Sequence, residues 1–133
     1  MAIQLSVTAR NARLDSIETT IGTAPTLEVR TGAPPANCAA ADSGTLVASM
    51  TLPTDWLAAA ASGSKALSGT WQDTSADAAG TIGHFRIKAG ATCHLQGTAS
   101  ATGGGGDMTF TNAVFAVGDP ITISSFTLTD ANA

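Results

Sequence analysis

Thr81-Ile82-Gly83-His84-Phe85-Arg86-Ile87-Lys88-Ala89 is the stretch that decides the fold class. Ile82, His84, Arg86 and Lys88 fall on one side of an extended chain and Gly83, Phe85, Ile87 and Ala89 on the other, the two-residue period of a strand. It reads as the clearest central strand of the chain. Downstream, Gly90 turns the chain into a strand over Thr92–Ala101, and Gly103–Gly106 gives four consecutive glycines, read as a mobile hairpin connection. Asp107–Ala116 reads as another strand. After the turn Gly118-Asp119-Pro120, Ile121–Thr129 closes the chain with Ile121, Ile123, Ser125 and Thr127 opposing Thr122, Ser124, Phe126 and Leu128.

Upstream the pattern continues. Gln72–Gly80 is a polar turn, Ala66–Trp71 a strand, and residues 54–64, with the run Ala58–Ala61, fit either a helical turn or extended chain. Leu46–Leu52 is a strand with Leu46, Ala48, Met50 and Leu52 on one face, ended by Pro53. Gly32–Gly44 is a breaker-rich connection containing Pro34, Pro35 and Asn37. Thr26–Thr31 is a strand with Leu27 and Val29 inward and Glu28 and Arg30 outward. Residues 9–21 read as the single helix, with Leu14, Ile17 and Ile21 on its apolar side, Thr8 as N-cap and Gly22 at its end. Ile3, Leu5 and Val7 alternate with Gln4, Ser6 and Thr8, which predicts an N-terminal strand over residues 3–8. About eight short strands at regular spacing predict an all-β fold: an antiparallel β-sandwich of jelly-roll type with one short N-terminal helix.

At 133 residues and 13.2 kDa, one domain over residues 1–133 is the natural organisation, exposing roughly 6,400 Å² when folded against roughly 19,000 Å² unfolded. Charged residues make up 12% and hydrophobic ones 44%, which excludes a charge-rich disordered chain. A net charge of −4 and a pI near 4.7 are the wrong sign for phosphate neutralisation, so no nucleic-acid partner is expected. The basic residues Arg10, Arg13, Arg30, Lys65, Arg86 and Lys88 are scattered; only Arg10 and Arg13 share a helical face, and no membrane patch forms. Residues 1–8 lack the features of a secretory signal, and no apolar run of about 18 residues is present. Free thiols are the favoured reading of Cys38 and Cys93 over a disulfide.

No catalytic constellation emerges. Ser62 and Lys65 have S-x-x-K spacing but none of its companion elements, and Gly103–Gly106 lacks the lysine and helix of a phosphate loop. His84, Cys93 and His94 suggest zinc by residue type, yet Cys93 and His94 are neighbours on one strand and point to opposite faces. Asp73 and Asp77 read as solvated turn residues. Neither cofactor nor metal is expected. Trp56 and Trp71 carry much of the bulky apolar surface, with core packing as the default and a role as interface anchors as the alternative.

The run Thr8-Ala9-Arg10-Asn11-Ala12-Arg13-Leu14-Asp15-Ser16-Ile17-Glu18, followed by Leu27-Glu28-Val29-Arg30-Thr31-Gly32-Ala33-Pro34-Pro35, resembles the start of a group of small tailed-phage and prophage virion proteins. Gly69-Thr70-Trp71-Gln72-Asp73, Gly83-His84-Phe85-Arg86-Ile87 and Ile123-Ser124-Ser125-Phe126-Thr127-Leu128-Thr129 are similar to the same group, nearly end to end. The resemblance implies a non-enzymatic head decoration (cement) protein on the capsid surface of the virion. It would be made in the host cytoplasm, bind the phage major capsid protein, and act as a homo-oligomer, dimer or trimer. The contact elements expected on that reading are residues 1–8 through Ile3, Leu5 and Val7, the Arg10 and Arg13 helix face, the 32–44 loop through Pro34 and Pro35, and Trp56. The alternatives are a phage tail or fibre component and a receptor- or carbohydrate-binding β-sandwich.

Overall fold

The computed structural model describes residues 3–131. Within them a helix, α1 (Val7–Ile21), precedes β1 (Thr26–Thr31), β2 (Leu46–Thr51), β3 (Ser64–Ala66), β4 (Gln72–Asp73), β5 (Gly80–Ala89), β6 (Thr92–Ala101), β7 (Met108–Phe110), β8 (Val114–Phe115) and β9 (Ile121–Thr129). Hydrogen-bonded neighbours run β2-β1-β5-β6-β7-β9-β3, with β4 also on β9 and β8 on β5. Phe85 on β5 meets Phe126 on β9 edge-to-face, ring centroids 5.5 Å apart, although two strands separate them along the sheet. The sheet therefore folds over on itself. Trp71 stacks at a tilt on Phe126 at 5.5 Å and Trp56 on Trp71 at 5.9 Å, giving a continuous aromatic core. The exposed surface of 6573 Å² is close to the value of about 6,400 Å² expected for this mass.

The fold is β-rich with one helix, and its sheet is mixed. The expectation of purely antiparallel pairing is corrected by β6 and β7, which run parallel with Ala99 opposite Met108 and Ala101 opposite Phe110. Parallel neighbours usually need a crossover of a dozen residues, and here residues 102–107 suffice because the glycine run doubles back along β6. Gly103 and Gly105 sit at φ of 87° and 81°, where side chains are strained. A Cβ on Gly106 would lie 2.8 Å from the Ser100 amide nitrogen. The run is thus a packed return, tied by the Gly106 N–H to Ser100 Oγ at 2.9 Å, and not the hairpin tip that its composition suggests.

The predicted strand over residues 3–8 is likewise corrected. Residues 3–6 are irregular and Val7 already begins α1. Ser6, not Thr8, is the N-cap: its Oγ accepts the Ala9 N–H at 3.2 Å, satisfying a donor that the first helical turn would otherwise leave free. Leu14 and Ile21 are buried, Ile17 packs on the core, and Gly22 ends the helix at φ 91°.

Two predicted strands are interrupted. The expected strand Ala66–Trp71 falls on a break between β3 and β4, yet the chain still follows β9: the Leu67 N–H donates to the Phe126 carbonyl and the Ile123 N–H to the Trp71 carbonyl. Between them Gly69 adopts φ 73° and the Trp71 indole N–H bonds the Ser68 carbonyl at 3.1 Å. That bulge sends Trp71 into the core. The expected strand Asp107–Ala116 divides into β7 and β8 around Asn112, whose amide bonds both the N–H and the carbonyl of Val114. Residues 54–63 form neither helix nor strand, with isolated bridges at Leu57–Leu67 and Ala61–Ser64, and Ser64 begins β3.

Candidate functional site

β5 is buried on both faces, which an alternating polar pattern does not announce. Phe85 and Ile87 face the aromatic core; His84, Arg86 and Lys88 lie on the other face, beneath the loop of residues 32–44. An Asx turn shapes that loop, with Asn37 Oδ1 accepting the Ala39 and Ala40 N–H groups. Three attachments hold it down. Arg86 donates to the carbonyls of Cys38 at 2.8 Å and Ala40 at 3.1 Å. The Gln96 side-chain amide donates to the Pro35 carbonyl at 2.7 Å. His84 Nδ1 lies 2.9 Å from the Gly32 carbonyl.

The first of these, Arg86, also belongs to an ion cluster built around Asp42. Its Oδ1 pairs with Arg86 at 2.5 Å, and its Oδ2 with Lys88 at 2.6 Å and Arg30 at 3.2 Å. Glu28 completes the set, pairing with Arg30 at 2.9 Å and Lys88 at 3.0 Å. The Arg86 side chain is 2% exposed, so its positive charge is matched by protein oxygens in place of water. The hydrogen bond from Lys88, with Arg30 and Arg86 nearby, holds the Asp42 carboxyl below the usual carboxylate range despite its partial burial. Burial works against the Lys88 ammonium, but Asp42 and Glu28 outweigh it and stabilise the charged form.

Beside this cluster a hollow of about 360 Å³ is lined by Cys38, Asp42, Arg86, Lys88, Thr92 and Cys93. The two thiols, both half-buried, lie with their Sγ atoms 2.7 Å apart. Burial, reinforced by Cys93, pushes the Cys38 thiol up to about 11.

A second cluster has the opposite sense. Lys65, 2% exposed, lies under α1 with Nζ 2.7 Å from Asp15 and 2.9 Å from Glu18. The same helix face grips residues 57–63: Glu18, Asp15 and Asn11 accept the N–H groups of Leu57, Ala60 and Gly63. Lys65 opposes its own burial through these two carboxylates and stays protonated, so it is not a base for Ser62, which lies exposed in a tight turn at φ 52°.

The residues singled out from the sequence are distributed unevenly. Ile3 is 85% exposed, Val7 is exposed on the first turn of α1, and Leu5 is half-buried. Arg10 turns inward and donates to the Asp130 carbonyl at 3.1 Å, while Arg13 pairs with the Asp130 carboxylate at 3.3 Å. Pro34 and Pro35 are half-buried in the 32–44 loop. Trp56 is corrected as a surface anchor: it has no exposed surface and its indole N–H donates to the Gly22 carbonyl at 3.0 Å, which makes it a core residue. Met1 lies outside the described residues.

His84 is fully buried, Cys93 faces Cys38 and His94 is exposed; among the described residues no three His, Cys, Asp or Glu side chains converge as metal ligands. Asp73 caps its own turn by accepting the Ser75 N–H. Sequence reasoning missed Asp42 and the Cys38–Cys93 contact. The available signal was the pair Arg86 and Lys88 alternating on a central strand, which demands a carboxylate from elsewhere.

All six basic residues are engaged within the fold. No helix among the described residues is long and apolar enough to cross a membrane. Comparison with protein-family models, curated proteins and solved structures finds no match to this chain.

Proposed function

We propose that this chain is a non-enzymatic structural protein of a tailed-phage virion, a head decoration protein that binds the major capsid protein and braces the shell as a homo-oligomer. The ordered series of sequence resemblances from Thr8 to Thr129 motivates the reading. The structural observation that supports it is Ile3, a large apolar side chain just ahead of α1 that is 85% exposed. An exposed apolar side chain ahead of the helix offers a docking point for a capsid subunit or a second copy. The jelly-roll type of sandwich belongs to the same reading and draws on the packing of Phe85 against Phe126 across the folded sheet.

Charge disposition supports contact through backbone and small side chains. With all six Lys and Arg side chains partnered within the fold, Arg13 alone of them largely exposed, and with Asp55 and Asp77 exposed, the complementary capsid surface would be neutral or basic. A carbohydrate-binding role is less favoured because Trp56 and Trp71 are sealed in the core and cannot stack on a sugar.

Cryo-electron microscopy of the intact virion tests the proposal. Ordered copies on the outer head surface are expected; copies confined to the tail, or absent from the particle, overturn it. Ile3→Ser, at a side chain that is 85% exposed, should leave the thermal midpoint unchanged while weakening rebinding to stripped capsids at least tenfold.

A further inference from the structure

Cys38 and Cys93 are 55 positions apart in sequence, yet both sides of their contact are held in place. Cys38 sits in the Asx turn of Asn37, and Arg86 grips its carbonyl and that of Ala40. Cys93 is fixed by β6, opposite Lys88, next to the register shift between Ile87 and Lys88. The resulting Sγ separation of 2.7 Å is far inside ordinary contact between unbonded sulfur atoms and approaches the bond length of about 2.05 Å. No third ligand stands ready to make the pair a metal site among the described residues. Both thiols border the hollow beside Thr92, which is exposed, so a small reagent has a path to them.

We propose that Cys38 and Cys93 form a reversible cross-linking site, oxidised by a low-molecular-weight disulfide to an intramolecular disulfide that fastens the 32–44 loop onto β6. One protein thiolate attacks a sulfur of the reagent, breaking its S–S bond and releasing one small thiolate. The second protein thiolate then attacks the protein sulfur of the mixed disulfide and expels the other small thiolate. The protein loses two protons and two electrons, and the reagent leaves as two thiols. The thiolate is the reactive form, and Cys38, standing at about 11, is mostly protonated near neutrality. Ring closure is therefore slow at pH 7 and accelerates as pH rises. The cross-link is a property of the chain itself and holds whatever partner the protein binds.

The test is to incubate the purified full chain with oxidised glutathione at pH 8.5 and compare it with the reduced chain by intact mass and by non-reducing tryptic mapping. A mass lower by two hydrogens and the peptide of residues 31–65 joined to that of residues 89–133 are expected. The thermal midpoint should rise by on the order of 10 °C, and amide exchange over residues 37–42 should slow. Cys38→Ser and Cys93→Ser should each stop at a single glutathione adduct. Wild-type chain that ends as stable glutathione adducts, free thiols or intermolecular dimers overturns the proposal.

Discussion

The two ion clusters are mirror images in charge. On the outer face of β5 the carboxylate of Asp42 serves three cations, Arg30, Arg86 and Lys88, with Glu28 as a second acid. Under α1 the ammonium of Lys65 serves two carboxylates, Asp15 and Glu18. What separates them is which members water can reach. Around Asp42 the shared group is 33% exposed and Arg86 only 2%; around Lys65 the shared group is 2% exposed and Asp15 is 50% exposed. Removing the shared group strands buried charges in the first cluster and releases solvated ones in the second. Similar ion-pair distances therefore conceal different energetic roles.

The sharpest way to break this comparison is Asp42→Ala. It leaves Arg86 bonded only to the Cys38 and Ala40 carbonyls and Lys88 dependent on Glu28. Losing one partner of a buried pair costs about 3–5 kcal/mol, and the partial exposure of Asp42 places the expected loss near the lower end, about 3 kcal/mol. Urea unfolding measures it, and hydrogen exchange should show the 32–44 loop loosening first. A loss under about 1 kcal/mol would mean that water replaces the carboxylate and that the clusters do not differ.

Lys65→Met is the matching experiment on the other side. It preserves most of the buried aliphatic length and frees Glu18 and Asp15 to face solvent, so the expected cost is about 1 kcal/mol. The N–H groups of Leu57 and Ala60 still find the same two carboxylates. A loss as large as that of Asp42→Ala would show that Lys65 anchors α1 to the sheet, making exposure of the partner acids a poor guide.

The contrast also explains what the amino-acid sequence makes legible. Thr26–Thr31, Thr92–Ala101 and Ile121–Thr129 read as strands at their observed boundaries because alternation there is uninterrupted. The helix is legible from Leu14, Ile17, Ile21 and Gly22, although its start is displaced because Ser6 caps earlier than Thr8. Arg86 is harder. Its strand is evident, but its burial depends on a loop of alanines and prolines that carries little apolar signal of its own, and its counterion lies 44 positions away. Cys38 and Cys93 are hidden for the same reason: contacts made by a covering loop have no local period. Trp71 is legible as bulk but not as the residue directed inward by a break in the β9 pairing.

The smallest expected effect is in the pH dependence of the two clusters. Hydrogen bonding from Lys88 lowers the Asp42 pKa, and hydrogen bonding from Lys65 lowers that of Asp15. A depressed folded-state pKa gives stability that is full well above the unfolded value of about 3.9 and is lost as pH falls through the folded pKa. The Lys65 and Lys88 pKa values are raised against the pull of burial, so their contribution is full below about 10.4 and is lost as pH rises through the folded values. For these groups stability is flat between roughly pH 5 and 9, with both flanks falling. Urea midpoints from pH 5 to 2 should fall less steeply in Asp42→Asn than in the wild-type chain, and only slightly less steeply in Asp15→Asn. Asp15 is the more exposed carboxylate, so 0.5 M salt should erase its small effect and leave more of Asp42's. Equal salt sensitivity would place both carboxylates in the same solvent and remove the basis for treating one cluster as an internal clamp and the other as a surface staple.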